Sequence, residues 1–350
     1  MRLSLRAARP AEWIALRLGL VPAPAAEAWA GMALSGTLIA AVRTGMTARL
    51  AAGPATPEEI AAGLGLDPVP SGLLLECLRA SGHARARGGR YRLSRAGRRW
   101  LAPGAPLSVA AFVAGAGDYW DWWSRLDAVT RSGRPVGHHD APEGDDYWRR
   151  YLHGQLALAR LSAPEVARKL PLPAGARSVL DVGGGHGWYS AQLCQRHDGL
   201  TATVLDLPGS AAIGREIIAA AGLADRVRHV PGDARTADLG RGHDAVLCFN
   251  LVHHLTAPQA RDLLARCHAA LAPGGVLAVM DAFADPAGPR GASAQASFLG
   301  LFTYLSSGSR VFTPAELRGW LGEAGFRGRV RRVPVARIPG QALYVATRAA

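Results

Sequence analysis

Lysine is almost missing: of 40 lysines and arginines in the 350 residues, Lys169 is the only lysine. The formal charge of +13 is therefore arginine charge, in a chain also rich in Ala and Gly, and genome base composition accounts for such usage as readily as function does. Cysteine is scarce as well. Cys77, Cys194, Cys248 and Cys267 lie scattered within apolar patterns, which excludes a disulfide framework and a metal knuckle and predicts buried, reduced thiols. No apolar run is expected to reach the roughly eighteen residues needed to span a bilayer. The N-terminus carries Arg2, Arg6, Arg9 and Arg17, is broken by Glu12, and offers no apolar core with a cleavage site, so a soluble cytoplasmic chain is expected. Acids are missing from residues 79–99, which hold eight arginines; such a patch suits nucleic acid, an anionic substrate or a solvated face.

What is present suffices for two cores: 49% of residues are hydrophobic and 19% charged. The C-terminal half alternates strands with helices. Strand-like runs occupy residues 178–183 (SVLDVG), 201–207 (TATVLDL), 227–233 (VRHVPGD), 244–250 (DAVLCFN) and 275–283 (GVLAVMDAF). A helix at 257–271 stops at Pro273-Gly274-Gly275, and Thr313 with Pro314 starts another that ends before Gly325. Two further strands, 329–335 and 342–348, join through Ile338-Pro339-Gly340-Gln341. Alternation of this kind predicts a parallel sheet wound on both faces, with a terminal hairpin. Residues 28–170 read as mostly helical. Within them Thr56-Pro57-Glu58-Glu59 opens a short helix, Leu64-Gly65-Leu66 turns, 70–80 is a second helix, and 85–93 is a hairpin around Gly88-Gly89, a winged-helix pattern. The expected division is 1–105 winged helix, 106–170 helical connector contributing to the substrate pocket, and 171–350 catalytic domain.

The central motif is Asp181-Val182-Gly183-Gly184-Gly185-His186-Gly187, directly after a strand and opening a helix. Glycines let the chain turn sharply and let its backbone approach a ligand, while the free N–H groups of the helix start face polar parts of a nucleoside. Asp206 ends the next strand, where an acid accepts ribose hydroxyls. Gly232-Asp233 ends the third and would set an acceptor beside an adenine ring. A dinucleotide fingerprint needs a third glycine where this chain has Trp188, which argues against NAD.

These residues resemble a known family. The motifs LDVGGGHG (180–187), VLDLP (204–208), Gly232-Asp233, NLVHHLT (250–256) and LAPGG (271–275) are similar to those of the caffeate and acetylserotonin type of small-molecule O-methyltransferases, and of bacterial relatives that tailor aromatic polyketides and antibiotics. The resemblance covers residues 28–348. It implies a seven-stranded, Rossmann-like class I methyltransferase domain binding S-adenosylmethionine and releasing S-adenosylhomocysteine. It also implies a winged-helix part used for homodimerisation and for closing the partner's active site, not for DNA. Cofactor contacts would come from Asp181, Gly183, Gly185, Asp206, Leu207, Gly232, Asp233, Ala234 and Asn250. His253 would be the general base and Asp281 its orienting acid. Base chemistry suits a phenol, whose pKa of about 10 leaves little anion at neutral pH.

Two departures stand out. Where the family has Asp-Trp after the base this chain has His254-Leu255, and a second acid of the plant members aligns with Val311. Acceptor contacts are expected from Trp120 and Trp123, three apart on one helix face, and from His254, Phe298, Phe302 and Tyr304. Core packing is the alternative for the tryptophans. His138-His139-Asp140 reads as a solvated loop. Adjacent residues point apart on a helix or strand, so His253, His254 and Asp281 are not expected to share a metal. Rival functions are N- or C-methylation, a hydroxylase or pericyclase on the same fold, and a DNA-binding regulator. Against the last, helix 70–80 offers only Glu76 and Arg79 as long polar readers. The preferred reading is a solvated basic wing, with no membrane or nucleic-acid partner.

Overall fold

The structure is a computed structural model and describes residues 9–137, 139, 141–284, 293–337 and 340–350. The chain divides into two compact units, Met1–Tyr119 and Trp120–Ala350. The boundary falls inside the 106–170 segment read as a connector, so residues 120–170 of it belong to the larger unit.

In the smaller unit local capping decides the helix starts. The Thr56 hydroxyl accepts the Glu59 N–H and the Glu59 carboxylate accepts the Thr56 N–H, both at 3.2 Å, so helix Pro57–Leu64 opens on a capping box. Asp67 caps helix Pro68–Ala80 through the Val69 N–H at 2.8 Å. Strands β1 (Ala84–Arg87) and β2 (Arg90–Leu93) pair antiparallel around Gly88 and Gly89, both at positive φ. Ile60, Leu75, Leu78 and Leu93 fill the core beneath them. Helix, turn, helix and hairpin therefore follow in the expected order. Of the arginines here, Arg90 forks onto Glu59 and Arg79 onto Glu76, while Arg85, Arg87, Arg92, Arg95, Arg98 and Arg99 are exposed.

Helix Ala23–Arg43 corrects the expectation that no segment could cross a membrane: it is 21 residues long with a mean hydropathy of 1.3. Its Ala, Gly and Thr content hid this, because it is mildly rather than strongly apolar throughout. Only Thr37, Ile39 and Ala41 are buried. Cys77 also departs from expectation. It sits on the outward side of its helix, between buried Leu75 and Leu78, and is exposed; Cys194, Cys248 and Cys267 are buried, and all four are free thiols.

The larger unit is built on one sheet. Its strands are β3 (Ser178–Val182), β4 (Thr201–Asp206), β5 (Val227–Pro231), β6 (His243–Phe249), β7 (Leu271–Ala282), β8 (Arg331–Val333) and β9 (Gln341–Thr347). They lie in the order β5-β4-β3-β6-β7-β9-β8, the first five parallel and the last two antiparallel. β7 starts earlier than expected, because Leu271 already pairs with His243 across a register shift; Pro273-Gly274-Gly275 runs inside the strand rather than before it. Ile338 and Pro339, in the predicted β8–β9 turn, lie outside the described residues. Apolar cores cover both faces, one around Val179, Leu193 and Ile218, the other around Leu180, Leu263 and Trp320. The order reverses direction at β3 and β6, which places a crevice at their C-terminal ends.

Candidate active site

β3 delivers Asp181 to that crevice. The carboxylate is buried; Ser190 Oγ donates to Oδ2 at 2.7 Å, and Oδ1 is buried without a hydrogen-bond partner. Burial pushes the carboxyl up to about 7, with the Ser190 bond opposing and the nearby Asp206 charge adding. A carboxyl raised in this way binds its proton more tightly folded than unfolded. Stability of the cofactor-free protein should therefore fall as pH rises from the ordinary carboxylate range through about 7. Asp181→Asn keeps an acceptor for Ser190 and removes the titration. We expect its melting temperature to exceed wild type by a few degrees at pH 8 and the gap to close at pH 5. Thermal melts across that range check this, and parallel curves would refute it.

The turn after Asp181 is set by close approach. Gly183, Gly185 and Gly187 have φ of 66°, 52° and 66°, and a Cβ on Gly184 would lie 2.5 Å from the Asp181 carboxyl carbon and 2.7 Å from Val204. Asp206, at the tip of β4, accepts the Gly185 N–H at 2.6 Å and the Leu207 N–H at 2.7 Å, and burial raises its carboxyl above the ordinary value. The Gly232 N–H bonds the Asp206 carbonyl at 2.8 Å. Asp233 is engaged locally: it takes the Arg235 N–H at 2.8 Å and the Arg235 guanidinium at 2.6 Å, and this pairing lowers its pKa. The Ala234 carbonyl accepts from Arg266 at 2.6 Å. Asn250, left-handed at φ 53°, follows β6 and takes the Gln341 amide on its side-chain oxygen at 2.6 Å. A buried, unpartnered carboxylate oxygen beside a turn that admits no side chain fits the cationic, donor-rich end of S-adenosylmethionine. Asp206 fits a diol through its remaining lone pairs.

A single 3-10 turn, Val252–His254, follows β6. His253 Nδ1 lies 2.6 Å from Asp281 Oδ1, the His253 N–H reaches Asp281 Oδ2 at 3.2 Å, and the Ala282 N–H donates to Oδ1 at 2.7 Å. Both side chains are largely enclosed, His253 at 11% exposure and Asp281 at 2%. Hydrogen-bond pairing assigns the proton to Nδ1, which leaves the Nε2 lone pair as a base. The adjacent histidines do not point apart: the 3-10 turn brings the His253 and His254 rings to 4.1 Å between centroids. Among the described residues no group of three His, Cys, Asp or Glu could hold a metal.

Sequence reasoning missed His139. It is not a solvated loop residue but a left-handed one at φ 64°, its ring 5.4 Å from Trp148, 4.7 Å from Tyr151 and 5.5 Å from His254. Burial first, and the His253 charge second, push its pKa down to about 3. Its neighbours His138 and Asp140 lie outside the described residues. Tyr147, Trp148 and Tyr151 all stand on helix Asp146–Lys169; their spacing along one helix face was the available signal.

The other acceptor-side residues divide. Phe302 has Trp122 and Trp123 each at 5.8 Å, whereas Trp120 is 42% exposed. Trp120 and Trp123 both stand on the five-residue helix Trp120–Ser124, three positions apart as expected. Phe298 is exposed on helix Ala294–Ser307, and the Tyr304 hydroxyl donates to the Gly133 carbonyl at 3.1 Å. Val311 is buried with Ala282, Ala284 and Ala296 in an apolar cluster.

Five parallel strands closed by an antiparallel pair, a glycine turn against a buried acid, and a second acid on the next strand define a class I, S-adenosylmethionine-dependent methyltransferase. Residues 139–327 match the model of the O-methyltransferase domain family, and the chain belongs to that family. It is similar to a 3-hydroxy-5-methyl-1-naphthoate 3-O-methyltransferase of Streptomyces sahachiroi, 32% identical over 295 residues that cover 83% of this chain and 85% of the relative. It is 34% identical over 240 residues to an aclacinomycin 10-hydroxylase of Streptomyces purpurascens, covering 64% of this chain and 62% of the relative. Human N-acetylserotonin methyltransferase, solved in complex with S-adenosylmethionine, shares the fold at a TM-score of 0.82 and 18% identity, covering 99% and 100% of the two chains.

Proposed function

We propose that this chain methylates a phenolic hydroxyl of an aromatic specialised metabolite, with His253 as general base and Asp281 as its orienting acid. The observation that carries the reading is the 2.6 Å contact between His253 Nδ1 and Asp281. Bound S-adenosylmethionine supplies a methyl group on a sulfonium, an electrophile that an aligned lone pair displaces in line. His253 Nε2 takes the hydroxyl proton, the oxygen forms the new bond to carbon, and Asp281 stabilises the imidazolium that results. Asp181, Gly183, Gly185, Asp206, Leu207, Gly232, Ala234 and Asn250 would hold the cofactor. Asp233 would join them through the face that Arg235 leaves open. Trp123, Phe302 and His254, with Trp122 and His139, would line the acceptor; Trp120, Phe298 and Tyr304 would meet it at the rim. The test is release of S-adenosylhomocysteine with a panel of phenols, anilines and enolisable keto acids. Turnover led by phenols supports the reading; turnover confined to anilines or keto acids replaces it with N- or C-methylation.

A second reading has a specific basis. Val311 stands in an apolar cluster where a second acid would be, and the hydroxylase relative has the same fold, so a site that binds the cofactor without transferring its methyl group is the alternative. Cofactor binding with no product from any acceptor would favour it.

We also propose that the protein is a cytoplasmic homodimer, with the smaller unit as the dimerising, winged-helix part and no nucleic-acid partner. Support comes from large apolar side chains left in the open on it, Trp13, Leu18, Leu20, Trp29 and Met32. Trp29, 71% exposed, and Met32 share a face of helix Ala23–Arg43. Light scattering should give twice the 36.7 kDa of one chain, and Trp29→Glu with Met32→Glu should return the mass to 36.7 kDa. A wild-type monomer would overturn this.

A further inference from the structure

Behind the glycine turn lies a histidine that neither the cofactor contacts nor the base chemistry uses. His229 stands in β5, paired with Val204, and is 5% exposed. Its Nε2 lies 3.0 Å from the carbonyl oxygen of Gly185, while its Nδ1 is buried without a partner. Two lone pairs would repel at that separation, so the ring proton sits on Nε2 and donates to the carbonyl. Burial pushes the imidazole down to about 4, so it is neutral across the physiological range and this one N–H is its whole donor capacity.

The surroundings are cleared for this ring. A Cβ on Gly214, in helix Pro208–Ala220, would lie 2.3 Å from His229 Nε2 and 2.6 Å from the Gly185 oxygen. A Cβ on Gly187 would lie 3.0 Å from His229 Cε1. The Gly185 residue so held is the one whose N–H bonds Asp206 at 2.6 Å. A trans peptide points its N–H opposite to its carbonyl, so fixing the Gly185 oxygen toward β5 also aims the His186 N–H away from β5. Strand β5, the helix after β4 and the turn after β3 thus meet at one hydrogen bond.

We propose that His229 is a positioning residue for cofactor binding: its Nε2–H locks the Gly185–His186 peptide, and through Gly185 the Asp206 carboxylate, in the conformation that receives S-adenosylmethionine. The proposal depends on the cofactor site and not on which acceptor or base is used.

Calorimetry with S-adenosylhomocysteine on the full chain tests it. His229→Leu keeps most of the volume and removes the donor; its Kd should rise roughly tenfold, the size of one buried hydrogen bond. His229→Gln places an amide N–H near the Nε2 position and should bind within about threefold of wild type. Wild-type affinity in His229→Leu, or equal losses in both variants, would overturn the proposal, since packing alone would then explain the residue. A second measurement needs no variant. Nitrogen-15 spectra of the cofactor-free wild type should show His229 protonated at Nε2 and not at Nδ1 between pH 6 and 8; the opposite tautomer would sink the idea even if His229→Leu failed to fold.

Discussion

His253→Ala is expected to lower kcat by about 10²- to 10⁴-fold at neutral pH while leaving the Kd for S-adenosylhomocysteine unchanged. The split follows from where the residue stands. His253 touches Asp281 and adjoins His254, while the glycine turn and Asp206 are built from other elements, so its loss removes a proton acceptor and no cofactor contact. A phenol of pKa near 10 is ionised to roughly one part in a thousand at pH 7. Without the base, only that fraction attacks. The rate of the variant should therefore climb about tenfold per pH unit between 7 and 9, a slope the wild type lacks. Asp281→Asn tests the same arrangement from the other side. The amide can present an N–H to Nδ1, which favours the tautomer with its proton on Nε2 and removes the base without removing the ring. We expect a loss of at least about 10²-fold there too. Full turnover by His253→Ala at pH 7 would mean that proximity alone carries the reaction.

Much of this site was legible in the order of residues, and the parts that were not share a cause. Strand ends that deliver Asp181, Asp206 and His253 were readable because short apolar runs stop at glycine or at a polar residue, and because Thr56 and Thr313 announce capping boxes that the structure forms. Those signals are local. His139 was missed because its own segment gives no sign of burial: Trp148 and Tyr151 pack on it from a helix that begins seven positions later, at Asp146, and only their spacing hinted at it. Trp122 was not singled out because the i, i+3 rule pairs Trp120 with Trp123, whereas its contact with Phe302 is made across to another helix. The His253 and His254 rings come together, tilted by 40°, because a 3-10 turn, not a helix or strand, carries them. His229 gave no local sign of a role, since its partner carbonyl is 44 positions away and a backbone atom leaves no trace in side-chain pattern. Helix Ala23–Arg43 was misread for another reason: its apolar character is mild and spread over many small residues, and which of its side chains find cover depends on what packs against it.

Asp206→Ala is expected to weaken S-adenosylhomocysteine binding by about 10²- to 10³-fold, the larger of the two effects on the cofactor half of the site. One carboxylate here serves three ends. It accepts the Gly185 N–H at 2.6 Å and so holds the turn, accepts the Leu207 N–H at 2.7 Å at the start of helix Pro208–Ala220, and keeps lone pairs for ribose hydroxyls. Charge-assisted bonds of this kind are worth about 1.5–3 kcal/mol each, and alanine leaves both N–H groups without that acceptor. Asn is the informative intermediate: its single carbonyl oxygen can serve Gly185 or Leu207 but not both, so its loss should fall between wild type and Ala. Neither variant should show the steep alkaline recovery expected of His253→Ala, because a cofactor that fails to bind is not rescued by ionising the acceptor. Calorimetry with S-adenosylhomocysteine measures the affinity directly. If Asp206→Ala bound it as tightly as wild type, the carboxylate would be only a cap for the turn and the helix, and the ribose would have to be held elsewhere in the crevice.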